Sequence, residues 1–103
     1  MSYQIKEDLK QLLTHADGIG DYLADRVAVE MSHKVDDVNQ FIYLVYEDQS
    51  FRDSITNIDS VGSSALESVV ELSQSIINNE AVVVRDNFGK VRVVKSGREE
   101  EFV

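Results

Sequence analysis

The chain contains no cysteine. A disulfide framework is therefore excluded, and so is a metal site built on thiolates. It contains no proline either, which suits a helix-rich chain, since no residue removes a backbone donor or kinks a helix interior. No apolar run approaches the roughly 20 residues needed to span a bilayer. The first residues, Met-Ser-Tyr-Gln-Ile-Lys-Glu-Asp, hold no apolar signal segment. A cytoplasmic protein without membrane contact is the expectation. Histidine is scarce, with only His15 and His33.

What is present fits one domain. The length is 103 residues and 43% of them are hydrophobic, enough for a modest core. The net charge of −9 repels nucleic acid at long range. That charge is uneven. Residues 18–50 carry −5 and 51–80 carry −4, whereas 81–103 carry +1 and hold half of the basic residues.

Apolar spacing predicts helices over 4–15 and 21–34, with Lys6, Lys10 and the Glu7/Asp8 pair facing solvent. Asp36 or Asp37 caps a third helix, with Gln40 completing a capping box. Val38, Phe41, Ile42, Val45 and Tyr46 give that helix a wide apolar stripe, and Tyr43 and Leu44 make it apolar nearly all round. It is either central to the core or covered by a partner, for example a second copy. Residues 49–62 are the least regular, with a short helical turn from Ser50 carrying Phe51 and Ile55. Ser64 and Glu67 form another capping-box pattern, opening a helix to about Ile77 that stops at Asn78-Asn79.

The character then changes. Residues 81–85 and 90–95 are rich in β-branched side chains, and Asp86-Asn87-Phe88-Gly89 between them is a strong hairpin signal, a type I turn with Gly89 left-handed. In that register Asp86 faces Lys90. Val83, Val91 and Val93 share one face with Arg85; Val82, Val84 and Val94 share the other with Arg92. An isolated hairpin is marginal in water. It must pack on the helices, on residues 99–103 as a third strand, or on another subunit. Glu99-Glu100-Glu101 reads as a solvated end.

The stretch Leu13–Ala28 carries the most specific pattern. Gly18-Ile19-Gly20 interrupts two helical patterns at about 1 kcal/mol per glycine relative to alanine. Leu13 and Ala16 precede the glycines; Ala24 and Val27 follow. This stretch resembles the helix-hairpin-helix family, over about the first third of the chain. The resemblance implies that the amides of Gly18, Ile19 and Gly20 hold a nucleic-acid phosphate without reading sequence, as free N–H groups at a helix N-terminus do in general. The chain departs from the family pattern at Asp17, where proline is common, and at Asp21, where basic or neutral residues are usual. Asp21 is expected to cap the second helix itself.

Enzyme chemistry finds little support. No nucleophile-elbow, phosphate-loop, dinucleotide or EF-hand pattern is present. His33 with Asp36 and Asp37 reads as a helix end followed by a cap and not as a metal site. The pairs Asp36/Asp37 and Glu47/Asp48 read as solvated caps and ends. No catalytic residue, metal ligand or cofactor is expected. The hairpin basics Arg85, Lys90, Arg92, Lys95 and Arg98 either hold phosphates or pair with acidic helices.

The expected fold is mainly α (α+β). It has about four helices, including an N-terminal helix-hairpin-helix-like pair over the helical residues 1–80, then a β-hairpin and acidic tail over 81–103. The expected function is a non-catalytic acidic interaction protein, self-associating and binding a protein partner. Phe41, Tyr43, Leu44 and the hairpin basics form its contact surface. An acidic surface can also imitate nucleic acid toward a DNA-binding protein. The alternative is sequence-nonspecific nucleic-acid binding through Gly18–Gly20 and the basic hairpin.

Overall fold

The computed structural model describes residues 2–95 of the chain, and the side chains of 4–95. Helix α1 (Ser2–Leu13) buries Leu9, Leu12 and Leu13, and α2 (Asp21–Met31) folds back on it through Ala24, Val27, Ala28 and Met31. These positions recur every three or four residues, which places them on one face. Helix α2 stops three residues earlier than its pattern suggests. The Lys34 N–H donates to the Met31 carbonyl at 2.9 Å, a tighter turn than the helix, which lets Val35 enter the core.

Helix α3 (Val38–Glu47) starts as expected. Asp37 accepts the Gln40 N–H at 2.8 Å, and the Gln40 carboxamide accepts the Asp36 N–H at 2.6 Å. Its buried face includes Phe41, whose ring meets the edge of Phe51 with centroids 5.7 Å apart. Phe51 belongs to α4 (Gln49–Thr56), a full helix where the sequence suggested only a turn from Ser50. Asp48 makes this possible. It ends α3 and accepts the Phe51 N–H at 3.2 Å, so it serves both helices. Arg52 donates to the last carbonyls of α3, at 2.8 Å to Val45 and 3.0 Å to Tyr46.

Helix α5 (Ser63–Ile77) packs on α3 and α4. The expected Ser64–Glu67 capping box does not form. Gly62 is the N-cap, so Ser64 lies inside the first turn, where its hydroxyl cannot reach back to a free amide. The helix stops at Asn78, and Asn79 takes φ 65°.

Strands β1 (Ala81–Arg85) and β2 (Val91–Lys95) pair antiparallel, with Val82 opposite Val94 and Val84 opposite Arg92. The Asp86 N–H donates to the Lys90 carbonyl at 2.9 Å, and Gly89 takes φ 80°. This is the expected turn and register. Ala81 and Val91 are buried and Val83 and Val93 pack on the helical core, so the sheet lies on α1 and α5. Two side chains of α1 hold it. Gln11 accepts the Val91 N–H at 2.7 Å on the outer edge of β2. Asp8 accepts a two-pronged hydrogen bond from the Arg85 guanidinium, at 3.1 and 3.0 Å. Asp8 is buried and not solvent-facing as its local pattern suggested, because the hairpin covers that side of α1.

The result is mainly α with a C-terminal β-hairpin: five helices and one two-stranded sheet among the described residues. One hydrophobic cluster runs from Leu9 on α1 to Val91 on β2. No helix among the described residues is long and apolar enough to cross a membrane. The expectations for Arg98 and for residues 99–103 fall outside the described residues.

Candidate functional site

The turn between α1 and α2 is closed by its own backbone. Ala16 N–H donates to the Leu13 carbonyl at 3.0 Å and Ile19 N–H to Ala16 at 3.2 Å. Gly18 takes φ 76°, the left-handed region in which glycine has no side-chain penalty. Ala16 and Ile19 point into the core, while Asp17, Gly18, Gly20 and Asp21 are exposed. Gly20 is the N-cap of α2 in extended conformation. Asp21 does not cap the helix. It is the first helical residue, one position beyond the N-cap Gly20.

The turn between α4 and α5 repeats this geometry 42 residues later. Ile58 N–H donates to Ile55 at 3.1 Å and Val61 N–H to Ile58 at 3.1 Å. Ser60 takes φ 75° where Gly18 takes 76°. Gly62 is the extended N-cap of α5, as Gly20 is of α2. The hydroxyls of Thr14 and Thr56 each accompany their helix end by donating to the carbonyl three residues back, at 2.8 and 2.9 Å. Burial repeats as well: Leu13 and Ile55, Ile19 and Val61, and Val27 and Val69 are all buried. The two units also exchange neighbours. Ala16 and Asp17 lie across a shallow cleft from Ser68 and Glu71 of α5, while Ile58 and Asp59 lie across another from Arg26 and Glu30 of α2. The domain thus contains two helix–turn–helix units of like turn geometry, joined through α3.

The first unit is legible in the sequence and the second is not. Its signal was thin: Thr14/Thr56, Asp17/Asp59, Gly20/Gly62 and Val27/Val69 are identical at the 42-residue offset, but the left-handed glycine of the first turn is serine in the second.

Among the described residues the N-caps of α2 and α5, Gly20 and Gly62, make no side-chain cap hydrogen bond. Carboxylates surround both. Asp17 and Asp59 occupy equivalent exposed positions, and half-buried Asp25 and exposed Glu67 are equivalent one helical turn into α2 and α5. The cations at the matching offset are occupied: Lys10 lies 3.8 Å from Asp25, and Arg52 bonds the end of α3.

The hairpin basics divide. Arg85 is held by Asp8 and by the Gly89 carbonyl at 2.7 Å, and its pKa is raised by those contacts with Asp8. Arg92 pairs with Asp86 at 2.9 Å. The Asp86 pKa is lowered, first by the Lys90 N–H and then by Arg92. Lys90 and Lys95 are exposed. Of the apolar contact residues expected on α3, Phe41 is fully buried in the core, Leu44 is half-buried and Tyr43 is 56% exposed. Phe41 is therefore a core residue and not a contact residue, since it fills the space between α3 and α4.

His15, beside the first turn, has a lowered pKa, from burial first and from Arg92 second. Among the described residues no group of three or more histidine, aspartate or glutamate side chains is placed to hold a metal ion. No family model, curated protein or solved structure matches this chain.

Proposed function

We propose that this protein is a non-catalytic interaction domain that presents its two turns to a basic protein partner. The observation that carries this reading is the repetition of carboxylates at the two turns, Asp17 with Asp59 and Asp25 with Glu67. A helix N-terminus contributes about half a positive charge. Beside the first turn Asp17, Asp21 and Asp25 outnumber Lys10, so the local field there is negative. A cationic surface gains from that field, and a polyanion is repelled.

A second reading has an observation of its own. Gly20 and Gly62 adopt extended backbone that any residue takes, and a Cβ on either would meet nothing within 4 Å. The fold itself does not require glycine there. Glycine at both keeps the approach to the first amides of α2 and α5 open. Binding of a nucleic-acid backbone, as the resemblance to the helix-hairpin-helix family implies, would use that opening.

One titration separates the two. A labelled lysine-rich peptide, a plain duplex and a single strand are each mixed with the protein at low salt. The first reading expects peptide binding that weakens with salt and with the double change Asp17→Asn and Asp59→Asn, and no DNA shift at tens of micromolar. DNA binding that is lost in Gly20→Val with Gly62→Val, together with silence toward the peptide, would reverse the order.

A further inference from the structure

We propose that the cleft between the end of α1 and the start of β2 binds the phosphate group of a small monoester, through His15, Lys90, Arg92 and the carboxamide of Gln11. This goes beyond the reading above and stands apart from it, since none of the turn carboxylates takes part.

The fold brings these donors together from distant parts of the chain. Gln11 lies in the last turn of α1, and Thr14 and His15 follow it. Lys90, Val91 and Arg92 come from the return arm of the hairpin. All six line one cleft of about 150 Å³, and no carboxylate among the described residues lines it. The Gln11 carboxamide is oriented by its oxygen, which accepts the Val91 N–H at 2.7 Å. Its Nε2 is left as a donor with no partner among the described residues. Lys90 makes no ion pair among the described residues. Arg92 gives only Nε to Asp86, at 2.9 Å, so its two terminal nitrogens still have hydrogens to donate. The His15 imidazole is the fourth donor.

The class of ligand follows from this set. A phosphate monoester offers three terminal oxygens and close to two negative charges at neutral pH, whereas a carboxylate offers two oxygens and one charge. Arginine matches phosphate with paired N–H groups, and lysine meets it as a point charge. Two cations less the Asp86 carboxylate leave one positive charge at the cleft, and protonated His15 makes two. A bound dianion and a protonated His15 therefore favour each other. Burial first and Arg92 second hold the His15 pKa below its ordinary value, and a dianion in the cleft raises it. His15 also lines the adjoining cleft with Asp17, Glu71 and Lys95, so those charges act on it from the turn, from α5 and from the end of β2. A diester backbone carries one charge per group, and the net charge of −9 repels a long polyanion. A single small dianion responds mainly to charges within about 10 Å.

NMR titration of the full chain tests this, with inorganic phosphate, glycerol 3-phosphate, sulfate and plain duplex as probes. Both phosphates should give saturable shifts at the Gln11 side-chain amide, the His15 ring and the backbone amides of residues 90–92, with none from chloride at equal ionic strength. Whichever of the two binds tighter tells whether the group arrives free or on an organic carrier. Lys90→Gln should weaken binding by about tenfold. Lys95→Gln removes the same charge from the same hairpin and should leave binding nearly unchanged. Sulfate keeps both its charges, so its affinity should rise as pH falls from about 8 to about 5.5, and His15→Gln should flatten that rise. All three variants should keep the parent's far-UV circular dichroism. Absence of saturable binding, an equal response to chloride, equal losses in Lys90→Gln and Lys95→Gln, or a sulfate profile indifferent to His15→Gln would overturn the inference. So would a duplex that displaces phosphate from these residues at a lower concentration of phosphate groups. Peptide binding at the turns is measured separately and is untouched by any of these outcomes.

Discussion

Gly18 and Ser60 occupy equivalent places with φ of 76° and 75°. A residue with a Cβ loses roughly 1–2 kcal/mol in the left-handed region. Glycine gives back about 0.5–1 kcal/mol through its freedom in the unfolded chain. Ser60→Gly should therefore raise stability by about 0.5 kcal/mol in a urea titration, and Gly18→Ala should lower it by about 1 kcal/mol. A Cβ at Gly18 would meet nothing within 4 Å, so that cost is conformational and not steric. This also explains why the second turn was invisible in the sequence. The fold tolerates serine at the strained position, and without a second Gly-apolar-Gly the segment reads as loop. Asp8 was illegible for another reason. Its local spacing puts it beside Glu7 on a polar stripe, and nothing nearby announces a partner 77 residues away.

At the scale of the element, what was legible was local. The Asp37–Gln40 cap and the hairpin register both follow from residues within a few positions of each other, and both were foreseen. The length of α4 was not, because its start depends on Asp48 also ending α3 and on Arg52 reaching back across the junction. The docking of the hairpin on α1 makes an element-scale prediction. Asp8 is nearly buried, with its side chain 10% exposed, while Arg85 is 51% exposed. A charge-assisted bond of this kind is worth roughly 1.5–3 kcal/mol when shielded; solvent on the Arg85 side reduces it. Asp8→Ala should destabilise by about 1–2 kcal/mol by chemical denaturation. Hydrogen exchange should rise first in β1 and β2, ahead of α2 and α3.

For the whole molecule, pH acts through two groups of opposite charge type. The folded pKa of His15 lies below its ordinary value near 6.5. Just below that pH the unfolded chain takes up more protons than the folded one, so this residue makes stability fall as pH falls through the window. Asp86 has a depressed folded pKa, so its contribution is present above the ordinary carboxyl range and is lost as pH drops through the folded value. Relief of the repulsion within a chain of net charge −9 runs the other way. The comparison that isolates His15 is the melting temperature of His15→Gln against the parent chain between about pH 5 and 7. The variant should show the flatter profile. A further consequence concerns what this molecule does when crowded. The Gln11 carboxamide occupies the Val91 N–H, which in this register points away from β1. A valine-rich strand with an open rim is a template on which other chains add, layer upon layer, into fibrils. Gln11→Leu would uncap that rim with little change to the helix. The altered protein should stay folded when dilute yet turn cloudy and stain with amyloid dyes on standing at high concentration, while the parent stays clear.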